Sequence, residues 1–146
     1  MIENYKFKIF SDINDELENI WLDVENANKT KLTIFQTFNW QKNWINHIGK
    51  KFGRISIILI EKKSDKSKLL IPMIIKTNKI FNVLEFTGYP FADFNIPIGD
   101  LNLTQEELQK IFKFLIKSKI FNKRIDLIKL INQPENLFGL TNQFFY

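Results

Sequence analysis

The sequence predicts an α+β domain, and three observations on its 146 residues support that fold class. Apolar residues recur at steps of three and four in three stretches, which is the spacing of one helix face. Between the second and third of these, apolar runs of strand length follow one another across short turns, as in an antiparallel sheet. The chain is 45% apolar and contains 15 phenylalanines, so it can bury a core. We therefore expect a single domain over residues 1–146.

The first half of the chain is expected to begin with a strand and continue with two helices. Residues 5–10 alternate apolar and basic side chains, which predicts a half-buried strand. Ser11 is then placed to cap the first helix. A second helix is expected to follow Thr37 and to end at Gly49, because glycine commonly follows a helix C-terminus. The apolar faces are Ile13, Leu17, Ile20, Trp21 and Val24 in the first helix, and Trp40, Trp44, Ile45 and Ile48 in the second.

The middle of the chain predicts an antiparallel meander of three strands, at residues 54–61, 69–76 and 80–87. Pro72 has no backbone N–H to donate, so we expect it at a sheet edge or a bulge. Residues 89–99 contain two prolines and three aromatic residues, and they predict a loop with at most a short strand.

The third helix has the clearest start signal. Thr104 followed by Glu107 forms a capping box ahead of a helical apolar stripe. Residues 125–131 then predict a mostly buried strand, which Gln133 and Pro134 would end. The predicted order is β-α-α-β-β-β-α-β, an antiparallel meander followed by one crossover helix and a further strand.

The last ten residues contain six large apolar or aromatic side chains: Leu137, Phe138, Leu140, Phe144, Phe145 and Tyr146. Some must fold back on the domain or lie exposed. Because monomers seldom expose large apolar patches, we expect the chain to self-associate or to need a partner protein.

The net charge of +5 suggests a nucleic-acid partner, but the residue types argue against one. Only two of the 21 basic residues, Arg54 and Arg124, are arginines, whereas nucleic-acid recognition favours clustered arginine. Apolar runs fall far short of the roughly 20 residues of a membrane helix, and the N-terminal residues do not resemble a signal peptide. We expect a cytoplasmic location, no nucleic-acid partner and no membrane span.

No residue pattern indicates catalysis or metal binding. His47 is the only histidine, near the end of a predicted helix, where an exposed residue is favoured over a general base. The carboxylate pairs at 15–16 and 106–107 fall in the first turns of helices, where the helix dipole accounts for them. None of the five glycines forms a phosphate-binding motif, and cysteine is absent, so we predict no catalytic residue and no metal site.

Residues 88–95 are the most suggestive stretch, because an acid and an amide lie among aromatic rings in a loop after a strand. Such a loop can line a ligand pocket, or it can seal one end of the sheet as an aromatic plug. Trp40 and Trp44 present the same two alternatives, since an aromatic helical stripe can bind a ligand or pack in the core.

Taken in order, several segments resemble the CelD/BcsL family, which belongs to the GNAT acetyltransferase superfamily and is related to the FemAB aminoacyl transferases. Residues 35–44 read FQTFNWQKNW and are similar to the family motif F-Q-S/T-x-x-W-x-x-x-W. Residues 70–73 resemble its proline-containing strand, 87–88 with 92–97 its G…(S/A)-D-Y-x-D-P loop, and 124–128 with 133–134 the next strand and proline. Phe94 and Ile96 replace the usual tyrosine and second acid, which weakens a catalytic role for the loop.

The resemblance implies a GNAT-like half domain, the N-terminal, acceptor-side half of an acyltransferase acting on amines or hydroxyls of sugars or cell-envelope precursors. It implies a small-molecule acceptor, with substrate contacts from Trp40, Trp44, Tyr89, Asp93 and Asn95. Acyl-CoA is expected only in an intact two-half member, so this chain is expected to hold no cofactor, to be inactive alone, and to be a fragment or one part of a split protein. The partner would be a second GNAT-like half. The alternative is a non-catalytic binding or interaction domain.

Overall fold

The computed structural model describes residues 2–138, 140–142 and 144. The described chain forms an α+β fold, as predicted. Its strands are β1 (Tyr5–Phe10), β2 (Arg54–Ile55), β3 (Ile57–Lys62), β4 (Lys68–Ile71), β5 (Met73–Thr77), β6 (Asn82–Phe86), β7 (Ile98–Gly99), β8 (Leu127–Lys129), β9 (Asn136–Leu137) and β10 (Leu140–Thr141). Its helices are α1 (Asp15–Ala27), α2 (Phe38–Trp44), α3 (Lys50–Phe52) and α4 (Gln105–Lys117), with a π-helical turn (Ile45–Gly49) joining α2 to α3.

Two four-stranded sheets form the centre of the described fold. In one, the strand order is β1-β3-β4-β7 and all neighbours are antiparallel. In the other, the order is β2-β5-β6-β8, and β8 is parallel to β6 through the crossover helix α4. β9 and β10 form a separate antiparallel hairpin.

The predicted meander is divided between the two sheets. Ser56 interrupts the first predicted strand, separating β2 from β3, and Pro72 interrupts the second, separating β4 from β5. Proline cannot donate to the ladder, so its position at this break agrees with the predicted bulge or edge. Its carbonyl accepts the backbone N–H of Thr87 at 3.0 Å, which joins the break to the end of β6.

Helices cover both faces of the sheets. Ile58 and Ile60 of β3 pack on the side of α4, whereas Ile57 and Leu59 pack on the side of α1 and α2. Both faces of this strand are therefore buried, which explains its continuous apolar run in the sequence.

Two helix boundaries differ from the sequence prediction. Asn14, not Ser11, caps α1, because its side chain accepts the N–H of Leu17 at 2.9 Å. α2 begins after Thr37, as predicted, and the Thr37 side chain caps it. Gly49 does not end that helix, which continues through the π-helical turn to Phe52. A Cβ at Gly49 would lie 2.5 Å from the Trp44 ring, so glycine allows close packing there rather than capping.

The predicted capping box of Thr104 and Glu107 is present at the start of α4. Glu107 also accepts a hydrogen bond from the buried Tyr5 hydroxyl at 2.9 Å, which ties α4 to β1. The backbone N–H of Thr104 and this hydroxyl hold the pKa of Glu107 below its usual value. Burial, reinforced by Glu107, raises the pKa of Tyr5 to about 12.

The pH dependence of stability should report the Tyr5–Glu107 contact. Because the pKa of Tyr5 is raised on folding, its contribution is complete below pH 10 and is lost as pH rises towards 12. We expect the stability of the wild type relative to Tyr5→Phe to fall by about 1 kcal/mol between pH 8 and 11. Urea unfolding of both proteins measures this difference, and a constant difference across that range would contradict the assignment.

The C-terminal part corrects one prediction. β8 spans only Leu127–Lys129, and the Leu127 side chain is 55% exposed, so this strand is not mostly buried. β8 is an edge strand with β6 as its only ladder partner in the described part of the chain. Phe144 folds back into the core against Phe86 and Phe112. Phe138 is exposed, and Phe145 and Tyr146 lie outside the described residues.

Candidate functional site

Gln36, which lies just before α2, is hydrogen-bonded to the loop that follows β6. Gln36 is buried, and its Nε2 donates to the carbonyl of Phe94 at 2.8 Å. Its Oε1 accepts the backbone N–H of Thr33 at 3.0 Å. Because a buried amide is costly unless it is hydrogen-bonded, these contacts fix the position of the loop relative to α2. We call residues 88–95 the aromatic loop.

A second buried glutamine anchors the start of that loop. Gln41 on α2 donates from Nε2 to the carbonyl of Phe35 at 2.7 Å and accepts the hydroxyl of Thr87 at 2.6 Å. Both Gln41 and Thr87 are buried. The helix and the end of β6 are therefore joined by side chains whose polar groups are satisfied within the protein.

The Trp40 ring packs over the turn at Gly88. A Cβ at Gly88 would lie 3.2 Å from this ring and 2.7 Å from the Cβ of Ala92, and the backbone there has φ +100°. The close approach of these atoms and the positive φ both require glycine at this position. Trp40 is half-buried and meets Phe35 edge-on, with ring centroids 5.3 Å apart.

The other end of the aromatic loop is held by residues 131–133. Asn132 donates from Nδ2 to the carbonyl of Ala92 at 2.8 Å, and its own carbonyl accepts the N–H of Asn95 at 2.9 Å. Asn95 is 3% exposed and donates from Nδ2 to the carbonyl of Ile131 at 3.3 Å. Gln133 Nε2 donates to the carbonyl of Asn95. The loop is thus fixed on two sides.

The predicted site residues divide into four positions. Tyr89, at 46% exposed, and Asp93 lie on the outer surface of the aromatic loop, and Trp40 lies against its turn. Asn95 lies beneath the loop. Trp44 is in the core, and its Nε1 has no hydrogen-bond partner among the described residues. The structure brings Trp40, Tyr89, Asp93 and Asn95 to one loop and places Trp44 on the core side of α2.

Two lysines beside Tyr89, and a glutamate paired with one of them, were not anticipated. Lys76 Nζ lies 5.3 Å from the centroid of the Tyr89 ring, and Lys129 Nζ lies 5.7 Å from it. Lys76 also forms an ion pair with Glu85, whose side chain is 6% exposed. Glu85 could have indicated this ion pair from the sequence, because a charged side chain in an otherwise apolar strand needs a partner of opposite charge.

This surface can bind a small polar ring. Exposed aromatic rings offer apolar faces for stacking, while the ammonium groups and the Asp93 carboxylate offer hydrogen bonds.

His47 is exposed in the π-helical turn. Within the described residues, no cluster of three histidine or acidic side chains could hold a metal ion, and no helix is long and apolar enough to cross a membrane.

Substitutions at Asp93 and Asn95 should separate a surface role from a structural one. Asp93 is exposed and has no hydrogen bond or ion pair among the described residues, so Asp93→Asn should change the unfolding free energy by less than about 0.5 kcal/mol. Asn95→Ala should cost about 1 kcal/mol, because the buried Asn95 side chain and its hydrogen bond to the carbonyl of Ile131 are lost, although that carbonyl keeps Gln133 Nε2 as a donor. Urea unfolding measures both values. A loss above about 2 kcal/mol for Asp93→Asn would show that this carboxylate supports the fold.

Comparison with protein-family models, curated proteins and solved structures finds no match to this chain.

Proposed function

We propose that this chain is the acceptor-side half of an acyltransferase resembling the CelD/BcsL family, and that the aromatic loop binds the amine- or hydroxyl-bearing acceptor. One observation carries the proposal: two of the segments that resemble the family, 35–44 and 87–97, lie together and are hydrogen-bonded to each other. The bonded side chains are Gln36 and Gln41, which belong to the first segment. This segment has the geometry to support a ligand-binding loop.

The order of elements also supports a GNAT-like half domain. β1 is followed by α1 and α2, then by the interrupted antiparallel strands, and finally by α4 and β8. The sequence pattern predicts this order, and the parallel β6–β8 pair with its crossover helix agrees with it.

Acyl-CoA would supply the acyl group in an intact family member, but the start of α4 does not fit its pyrophosphate. A helix N-terminus binds a pyrophosphate through free N–H groups. At α4 the side chains of Thr104 and Glu107 occupy that end, and Glu106 adds a second carboxylate in the first turn. Negative charge at this position disfavours a phosphate. We therefore do not place acyl-CoA at the start of α4, and we assign acceptor binding to the aromatic loop.

A binding domain without catalysis is the second candidate, and the exposed rings favour it. Phe91 is 58% exposed, and with Tyr89 it forms an aromatic surface that needs no chemistry to bind a ligand. In that case a partner or ligand would bind the same loop, but acyl transfer would not occur even with a second half present.

Calorimetry with a panel of aminosugars, beginning with glucosamine, tests the acceptor proposal. We expect binding that Tyr89→Ala weakens at least about fivefold, because one stacked ring contributes about 1 kcal/mol. Phe81→Ala is the matched control, since this exposed ring lies in the turn before β6, and it should leave affinity unchanged. Acetyl-CoA should show no sub-millimolar binding. Such binding, or an aminosugar affinity insensitive to Tyr89→Ala, would refute the proposal.

A further inference from the structure

A cavity of about 230 Å³ lies between the end of α1, β4, β7 and the β9–β10 hairpin. Its walls are marked by Asn28, which follows α1, Leu69 of β4, Gly99 of β7 and Leu137 of β9. We call this cavity the hairpin pocket. Pockets for drug-sized ligands span about 300–1,000 Å³, so the hairpin pocket suits a smaller molecule.

Much of the described lining of the hairpin pocket is aliphatic. Leu69 is 1% exposed, and Leu32 and Leu137 are half-buried. Ile96 and Pro97, which directly follow the aromatic loop, add to this apolar surface. The described lining contains no aromatic ring, so it favours an aliphatic group over a stacked sugar.

A buried amide in the lining has an acceptor that the protein does not use. Asn28 is 6% exposed, and its Nδ2 donates to the carbonyl of Val24 at 2.8 Å. No described residue donates a hydrogen bond to Asn28 Oδ1, and this oxygen is not sealed from solvent. Because a polar atom of a buried residue is costly to leave without a partner, Oδ1 is suited to accept a hydrogen bond from a ligand.

Two opposite charges line the hairpin pocket without pairing. Lys31 is exposed and forms no ion pair within the described part of the chain. Asp100 accepts the backbone N–H of Lys68 through Oδ1 at 2.8 Å, and no described cation pairs with its carboxylate. A ligand that carries both charges complements both residues, whereas a simple anion would face the Asp100 carboxylate at a cost.

We infer that the hairpin pocket binds a free α-amino acid with an aliphatic side chain. Such a molecule carries an ammonium and a carboxylate at neutral pH. Its ammonium would lie against Asp100 and Asn28 Oδ1, and its carboxylate would lie against Lys31. Its side chain would lie against the aliphatic lining. This inference is independent of acceptor binding by the aromatic loop.

Calorimetry of L-leucine with the whole chain tests the ligand class, and we expect a Kd below about 1 mM. Leucinol lacks the carboxylate and N-acetyl-L-leucine lacks the ammonium. Each should bind at least about tenfold more weakly than L-leucine, because it loses a contact with a charged group. Glycine should also bind at least about tenfold more weakly, because it has no side chain to bury against the aliphatic lining.

Two variants that each remove one charge locate the site. Lys31→Gln and Asp100→Asn should each weaken L-leucine binding by at least about tenfold. Asp100→Asn keeps an oxygen that can accept the N–H of Lys68, so the pocket should keep its shape. Lys29→Gln and Glu3→Gln make the same charge changes at exposed residues outside the lining and should leave the affinity unchanged.

The inference would be overturned by a Kd for L-leucine above about 1 mM, or by equal affinity for L-leucine and either analogue that lacks one charge. An affinity that either Lys31→Gln or Asp100→Asn leaves unchanged would also contradict it. Binding that is lost in Tyr89→Ala but kept in Asp100→Asn would place the ligand on the aromatic loop and not in the hairpin pocket.

Discussion

Replacing Trp21 with alanine is expected to lower the unfolding free energy by about 4 kcal/mol, the largest single effect we predict. The Trp21 side chain is fully buried and packs edge-on against Phe38, with ring centroids 6.0 Å apart. Its Nε1 donates to the carbonyl of Gln36 at 3.0 Å. The variant loses the buried ring and leaves that carbonyl without its donor. Domains of this size are stable by only about 5–15 kcal/mol, so urea unfolding should show a much earlier transition.

Trp21→Phe is the control that separates packing from the hydrogen bond. It keeps an aromatic ring in the core but removes the donor to Gln36, so its cost should be about 1–2 kcal/mol. Because Gln36 holds the aromatic loop, this variant should also weaken ligand binding at the loop. Equal stability of Trp21→Ala and the wild type would contradict the core described above.

The second large effect is expected at the ion pair of Lys76 and Glu85. Lys76→Met should cost about 2–3 kcal/mol, because the Glu85 carboxylate is almost fully buried and would lose its charged partner. The expected loss lies at or below the lower end of the range for breaking a buried ion pair, since the Lys76 side chain is itself 29% exposed. Urea unfolding at neutral pH measures this loss.

A double substitution and an exposed ion pair serve as controls. Lys76→Met/Glu85→Gln should recover most of the loss, because the uncompensated charge is then removed. Lys110 pairs with Glu106 on the surface of α4, so Lys110→Met should change stability by less than about 0.5 kcal/mol. If Lys76→Met and Lys110→Met had equal effects, Glu85 would not depend on Lys76.

Local signals predicted the elements of the fold better than their arrangement. The capping box of α4 and the alternation in β1 are properties of neighbouring residues, and both appear as expected. Pro72 was expected at an edge or a bulge, but the break at Ser56 and the division of the meander between two sheets could not be predicted, because strands buried on both faces carry no period that fixes their register. The choice of Asn14 over Ser11 as cap was also open, since both residue types cap helices.

Part of the candidate site was also predicted from neighbouring residues, and the part that depends on the tertiary arrangement was missed. The aromatic loop was visible as an unusual local composition, and the structure places it against residues 35–44. Gln36 and Gln41 were missed as loop supports, because the sequence around a glutamine does not show whether its amide is buried and hydrogen-bonded.

Residue-resolved NMR of the ¹⁵N-labelled chain is the most direct test that the aromatic loop is the acceptor site. Titration with an aminosugar should shift the amide resonances of residues 88–95, and acetyl-CoA should leave the start of α4 unchanged. Asp93→Asn should keep the spectrum of a folded protein and reduce the shifts. Shifts confined to other surfaces, or none at millimolar ligand, would contradict the assignment of this loop as a binding site.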